Sequence, residues 1–149
     1  MAREKLVMIG AGMAAGRVLD HLTDPSFGAA SERFEITLFN AEPRGSYNRI
    51  MLSPVLAREK AYDDIVTHDD AWYAARNITT RFGERVTRID RFAKTVQGEN
   101  GTVAYDKLLI ATGSDPFIIP LPGHDLNGVI AYRDLEDTTT MATLSPGGK

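Results

Sequence analysis

Hydrophobic positions in this chain fall into short runs separated by turns rich in glycine and proline. Residues 6–9 (Leu-Val-Met-Ile) are apolar throughout, with no polar alternation. Such a run predicts a strand buried on both faces, as in a parallel sheet. Gly10 and Gly12 follow directly, and residues 13–22 then carry Val18, Leu19 and Leu22 at spacings that share one helix face. Residues 23–33 hold Pro25 and Gly28 among small and polar residues and read as a surface connection. Residues 34–39 alternate and include β-branched side chains, which predicts a second strand. Its natural place is beside the first, reached by a right-handed βαβ crossover.

Further along, residues 45–56 mix polar and apolar positions without a period, and Pro54 interrupts them. Residues 69–76 predict a short helix, with Asp69 or Asp70 at its start and Arg76 in its last turn. Trp72 and Tyr73 read there as packing residues. Residues 78–82 and 85–90 read as strands hinged at Gly83, and residues 94–97 and 102–105 as a hairpin around Gly98 and Gly101. A second buried strand is expected over residues 108–111, ending in Thr112-Gly113, where a backbone can approach a ligand closely. Pro116, Pro120 and Pro122 force an extended path that Gly123 ends. Residues 129–132 read as another strand, residues 134–144 as a helix weakened by four threonines, and residues 145–149 as a breaker. Together these elements predict an α/β fold: a Rossmann-like domain with a central parallel sheet, a crossover helix and an inserted β-hairpin or meander.

The size, 149 residues, suits one domain. A net charge of −3 leaves no basic footprint for nucleic acid. No apolar run approaches the roughly 20 residues that span a bilayer, and the first residues lead into a strand without a signal-peptide pattern, so a cytoplasmic protein is expected. With no cysteine, the chain has no disulfide, thiolate metal site, iron–sulfur ligand or cysteine nucleophile. His21, His68 and His124 lack metal-ligand spacing and read as surface residues. No metal site and no catalytic acid or base is expected.

The candidate chemistry lies at the glycines. Strand, glycine turn and helix is the arrangement in which backbone N–H groups and a helix N-terminus hold a pyrophosphate. Gly10 and Gly12 are therefore candidate dinucleotide contacts. A dinucleotide fold also uses an acidic residue after its second strand to accept from ribose hydroxyls. Glu42 is the acid within reach of that strand end, and it reads either as the ribose ligand or as a solvated turn carboxylate. Arg49, among Tyr47, Ile50 and Leu52, calls for a partner, either a structural carboxylate or a ligand phosphate.

Residues 9–13 (Ile-Gly-Ala-Gly-Met), the strand leading to Glu42, and residues 109–113 (Leu-Ile-Ala-Thr-Gly) resemble the two-dinucleotide-domain flavoprotein reductases, the superfamily of ferredoxin, rubredoxin and disulfide reductases. Residues 42–56, 70–73 and 105–117 narrow the resemblance to the large subunit of the assimilatory NAD(P)H-dependent nitrite reductases, over nearly the whole chain. The resemblance implies an FAD-binding domain over residues 1–149, the first part of a longer protein that is cut before its NAD(P)H-binding domain. Residues 116–149 would be the extended connection and lead-in.

That family implies electron transfer from NAD(P)H through FAD toward nitrite in nitrate assimilation. NAD(P)H, sirohaem and a 4Fe-4S cluster would bind in parts lying outside this chain. A small subunit or second protomer would be the partner. It also implies residue roles. Gly10, Gly12, Met13 and Ala14 would face the pyrophosphate, with Ala15 where many relatives have a third glycine. Glu42 would take the ribose and Arg49 would lie near the flavin or its phosphates. Val86 would meet adenine through its backbone or else be plain core, and Ala111, Thr112 and Gly113 would line the other side of the FAD. Pro54 stands where related ferredoxin reductases carry lysine. The cysteine-free sequence sets aside the disulfide-reductase branch. A ferredoxin- or rubredoxin-reductase-type oxidoreductase, a non-catalytic nucleotide-binding module and a plain NAD(P) dehydrogenase are the competing readings. The second glycine motif and the hairpin before it argue against the last.

Overall fold

A computed structural model describes residues 3–27 and 30–145. The expected breaker at residues 146–149 and Gly28 of the first connection lie outside the described residues. The chain divides into two compact units, Met1–Tyr47 with Thr67–Gly113, and Asn48–Val66 with Ser114–Lys149.

The first unit is built on a four-stranded parallel sheet. Its strands are β1 (Glu4–Ile9), β2 (Phe34–Asn40), β3 (Thr79–Phe82) and β7 (Lys107–Ile110), in the order β3-β2-β1-β7. The crossover from β1 to β2 runs through helix α1 (Met13–Thr23). A second sheet of β4 (Val86–Asp90), β5 (Thr95–Gly98) and β6 (Gly101–Ala104) is antiparallel. The α/β Rossmann-like architecture with an inserted hairpin is thus present.

The continuous apolar run of β1 follows from its position between these layers. Successive strand side chains point to opposite faces. Leu6 and Met8 join Leu19 of α1, Ile36, Leu38, Tyr73 and Ile78 in one buried cluster. Val7 and Ile9 join Phe39 and Val96 in another, against which Val86, Ile89 and Val103 pack. One face of β1 therefore looks to helices and the other to the antiparallel sheet, and neither face tolerates a polar residue.

Glu84 links the two sheets. It is 4% exposed, its Oε2 lies 2.8 Å from Arg81 Nε of β3, and its Oε1 accepts from the Asn100 N–H in the β5–β6 turn at 3.0 Å. Arg81 in turn lies over the Phe39 ring, 4.9 Å from its centroid. A Cβ on Gly98 would collide with the Glu84 carboxylate, so that glycine is required by close approach. Burial pushes the Glu84 carboxyl up, but the Asn100 N–H and the Arg81 guanidinium outweigh it and leave the group below its ordinary range.

Several expectations change. β7 was expected to be buried over residues 108–111; it ends at Ile110, which is 59% exposed, and Leu108 and Leu109 are half-buried. An apolar run implies burial on both faces only for an inner strand, and β7 is the edge of this sheet among the described residues. The connection at residues 23–33 contains a 3-10 turn (Pro25–Phe27) and a one-turn helix α2 (Ala30–Arg33). Helix α4 (Asp70–Ala75) forms as predicted, with the Asp69 carboxylate accepting from the Trp72 N–H.

In the second unit, residues 45–56, read as aperiodic, yield a 3-10 turn (Arg49–Met51) and helix α3 (Leu52–Leu56). Pro54 lies in the first turn of α3, where no N–H is needed. Residues 129–132 form no strand, because among the described residues no neighbouring strand pairs with them. Helix α5 (Leu135–Leu144) starts from a capping box between Asp134 and Asp137. Its four threonines each bond the carbonyl four residues back, which absorbs their hydroxyls within the helix.

Candidate dinucleotide site

The C-terminal ends of β1, β2 and β7 meet at the glycine turn. The Gly10 N–H donates to the Phe39 carbonyl at 2.8 Å, and the Ala111 N–H donates to the Ile9 carbonyl at 2.8 Å. Gly10 has φ +99°, and a Cβ there would collide with the Ala111 carbonyl. Residue 10 must therefore be glycine for two independent reasons, backbone conformation and the approach of the second motif. β1 is flanked by β2 on one side and β7 on the other, so this is the point where strand order reverses. Open α/β sheets bind ligands in the crevice at that point.

Gly12 behaves differently. Its φ of −75° is open to any residue, and a Cβ there would meet nothing within 4 Å. It is the N-cap of α1, no side chain caps that end, and the first turn holds no acidic residue. Among the described residues, no acceptor meets the N–H groups of Gly12, Met13 and Ala14. Open space, free donors and the positive end of a helix dipole suit an anion. This donor set fits the pyrophosphate of a dinucleotide.

The rest of the loop is tied down. The Asn40 side chain accepts from the Ala11 N–H at 3.4 Å and donates to the Arg44 carbonyl at 2.7 Å. It thereby joins the glycine turn to the loop carrying Glu42. The Glu42 carboxylate accepts from the Tyr47 hydroxyl at 2.9 Å and lies 3.9 Å from Arg44 Nη1. Ser46, 1% exposed, donates from Oγ to the carbonyls of Ala11 at 2.7 Å and Gly12 at 3.2 Å. Its own N–H donates to the Tyr73 hydroxyl at 3.1 Å. Burial pushes that phenol up, against the pull of the Ser46 N–H.

His68 was expected at the surface. It is 7% exposed, with Nε2 2.8 Å from Asp20 of α1 and Nδ1 3.1 Å from the Thr67 hydroxyl. Its ring packs edge-on to Trp72 at 4.1 Å and lies under Gly16, where a Cβ would come within 3.1 Å of both the His68 ring and Ser46 Oγ. Gly16 is thus the position on α1 that these side chains approach closely, and Ala15, where many relatives have a third glycine, is fully buried.

Of the predicted site residues, Gly10, Gly12, Met13, Ala14, Ala111, Thr112 and Gly113 lie in the first unit on the segments that follow β1 and β7. Gly113 takes φ +76°. Glu42 follows β2. Val86 opens β4, pairs with Gly98 and packs against the Val7–Ile9–Phe39–Val96 cluster. Arg49 belongs to the second unit, where its Nη1 lies 3.4 Å from the Arg133 carbonyl. Sequence reasoning missed Asn40, Ser46, Asp20 and the buried role of His68. Single polar residues, whether in loops, in α1 or at the end of β2, carry no periodic pattern from which such contacts can be read.

Residues 4–145 match the pyridine nucleotide-disulphide oxidoreductase family. The chain is 42% identical over 146 residues to an NAD(P)H nitrite reductase of Bacillus subtilis (strain 168), covering 97% of this chain and 18% of that protein. It is 35% identical to the NADH nitrite reductase large subunit of Escherichia coli (strain K12), covering 100% of this chain and 17% of that one. It thus spans less than a fifth of the length of those relatives. Among solved structures, the NADH:rubredoxin oxidoreductase from Clostridium acetobutylicum superposes with a TM-score of 0.82 at 27% identity, over 97% of this chain and 36% of that one. Fold, glycine turn and sequence match agree: the chain belongs to the pyridine nucleotide-disulphide oxidoreductase family.

Proposed function

We propose that this chain is the FAD-binding part of an NAD(P)H-dependent nitrite reductase. Residues 1–149 would be the first part of the FAD domain, and residues 116–149 the connection toward an NAD(P)H-binding domain. The observation that carries the reading is the 42% identity over 97% of the chain to a nitrite reductase, with an open donor set at the switch point of the sheet.

In this reading the N–H groups of Gly12, Met13 and Ala14 hold the pyrophosphate, and Gly10 lets the Ala111 segment close beside it. Glu42, fixed by Tyr47 and Arg44, accepts from the adenosine ribose. Val86 meets adenine through its backbone, and Ala111, Thr112 and Gly113 line the other side of the ligand. Arg49 is a flavin or phosphate contact on the family resemblance. The bound flavin supplies the chemistry, hydride acceptance from NAD(P)H and release of single electrons toward nitrite. The chain's own residues bind and orient, and none acts as an acid or base. NAD(P)H, sirohaem and a 4Fe-4S cluster would sit in other parts of the whole protein, working in the cytoplasm with a small subunit or second protomer.

Titration with FAD tests the reading: the purified chain should quench flavin fluorescence to saturation and shift its absorption bands. A chain that leaves FAD unchanged but binds NADH overturns it. A second reading, a ferredoxin- or rubredoxin-reductase type of oxidoreductase, draws support from the likeness to the clostridial enzyme. The acceptor reduced by the full-length protein, nitrite or a small iron–sulfur or rubredoxin partner, separates the two.

A further inference from the structure

Ser46 lies outside the glycine motif, yet its hydroxyl reaches the two carbonyls at the centre of that motif. It has one proton, shared in a three-centre bond between the Ala11 carbonyl at 2.7 Å and the Gly12 carbonyl at 3.2 Å. In a trans peptide the C=O and N–H of one unit point in opposite directions. The Ala11 carbonyl shares its peptide with the Gly12 N–H, and the Gly12 carbonyl shares its peptide with the Met13 N–H. The Gly12 carbonyl also accepts from the Gly16 N–H at 2.9 Å, so α1 itself fixes the Met13 N–H. The Ala11 carbonyl, held toward buried Ser46, turns the Gly12 N–H the other way. A donor on a carbonyl also polarises the N–H of the same peptide and strengthens it as a donor.

Ser46 is itself held from three sides. Its N–H is bonded to Tyr73, its carbonyl accepts from the N–H groups of Thr67 and His68 at 3.0 and 3.2 Å, and its Oγ faces Gly16. At 1% exposure it does not touch a ligand. We propose that Ser46 is a positioning residue that aims the Gly12 N–H at a pyrophosphate, setting affinity for diphosphate-bearing nucleotides without contacting them. This rests on the dinucleotide site proposed above.

The test is amide NMR of the isotope-labelled chain, titrated with FAD, ADP and adenosine. In the wild type, ADP and FAD should move the Gly12 and Met13 amide resonances, and adenosine should not. If neither ADP nor FAD moves them, the site itself is wrong. Ser46→Ala should weaken FAD and ADP by about tenfold, the worth of one oriented hydrogen bond, while leaving adenosine affinity within about twofold, well inside the scatter of a single contact. Should Ser46→Ala fail to fold, Ser46→Cys decides, because it keeps the packing but offers a weak donor. It should lose FAD and ADP affinity selectively, with the Gly12 amide shift reduced. Wild-type FAD and ADP affinity in a folded Ser46 variant, or an equal loss for adenosine, overturns the positioning role.

Discussion

At the scale of single residues, the two glycines of the turn answer to different demands, and substitution separates them. Gly10→Ala puts a Cβ onto the Ala111 carbonyl at a φ of +99°, so the folded state should lose at least about 2 kcal/mol in urea denaturation. Gly12→Ala meets empty space at an ordinary φ and should change stability by less than about 1 kcal/mol. The same Gly12→Ala change should still reduce FAD affinity by about tenfold or more, since its methyl occupies the space a pyrophosphate needs. A stable Gly10→Ala variant, or a Gly12→Ala variant with unaltered affinity, would contradict this division. The glycines were legible because a turn between an apolar strand and a helix leaves a pattern. Ser46 and His68 were not, because a buried polar side chain is defined by partners distant in sequence: Ala11 for Ser46 and Asp20 for His68.

At the scale of elements, the order of strands and helices could be read from periodicity, while burial at the edges could not. The apolar run of β1 predicts burial on both faces, and residues on both faces do have a packed layer to meet. The same signal in β7 overstated burial because nothing in a run of Leu and Ile distinguishes a central strand from an edge one. The joint between the sheets carries a prediction of its own. Glu84 is held below its ordinary range, so its stabilising effect is complete above the unfolded glutamate pKa of about 4.3. That effect fades as pH falls through the lower folded value. Between pH 5 and pH 3 the wild type should therefore lose stability more steeply than Glu84→Gln, as measured by denaturant midpoints across that range. Parallel slopes for the two proteins would remove Glu84 as a source of the acid sensitivity.

For the molecule as a whole, the family is named for disulphide chemistry, yet the chain holds no cysteine and no dithiol pair can operate within it. Among the described residues no helix is long and apolar enough to cross a membrane. The chain spans less than a fifth of its nitrite reductase relatives, so binding and turnover should separate experimentally. Under the function proposed above, the isolated chain with added FAD and an artificial acceptor should show no NADH oxidation above that of free FAD, whereas a protein that also carries an NAD(P)H-binding domain should turn over. Clear FAD-dependent turnover by the 149 residues would assign them more than a binding role. One feature of the fold also governs its assembly. β1 and β7 are joined at their start by the Lys5 N–H and the Asp106 carboxylate, 101 residues apart, and at their end by Gly10 against Ala111. Contacts that distant in sequence form late and slowly. A ribosome that has released the glycine turn has therefore not yet delivered its counterface, and a nascent chain acquires the site only once residue 111 has emerged.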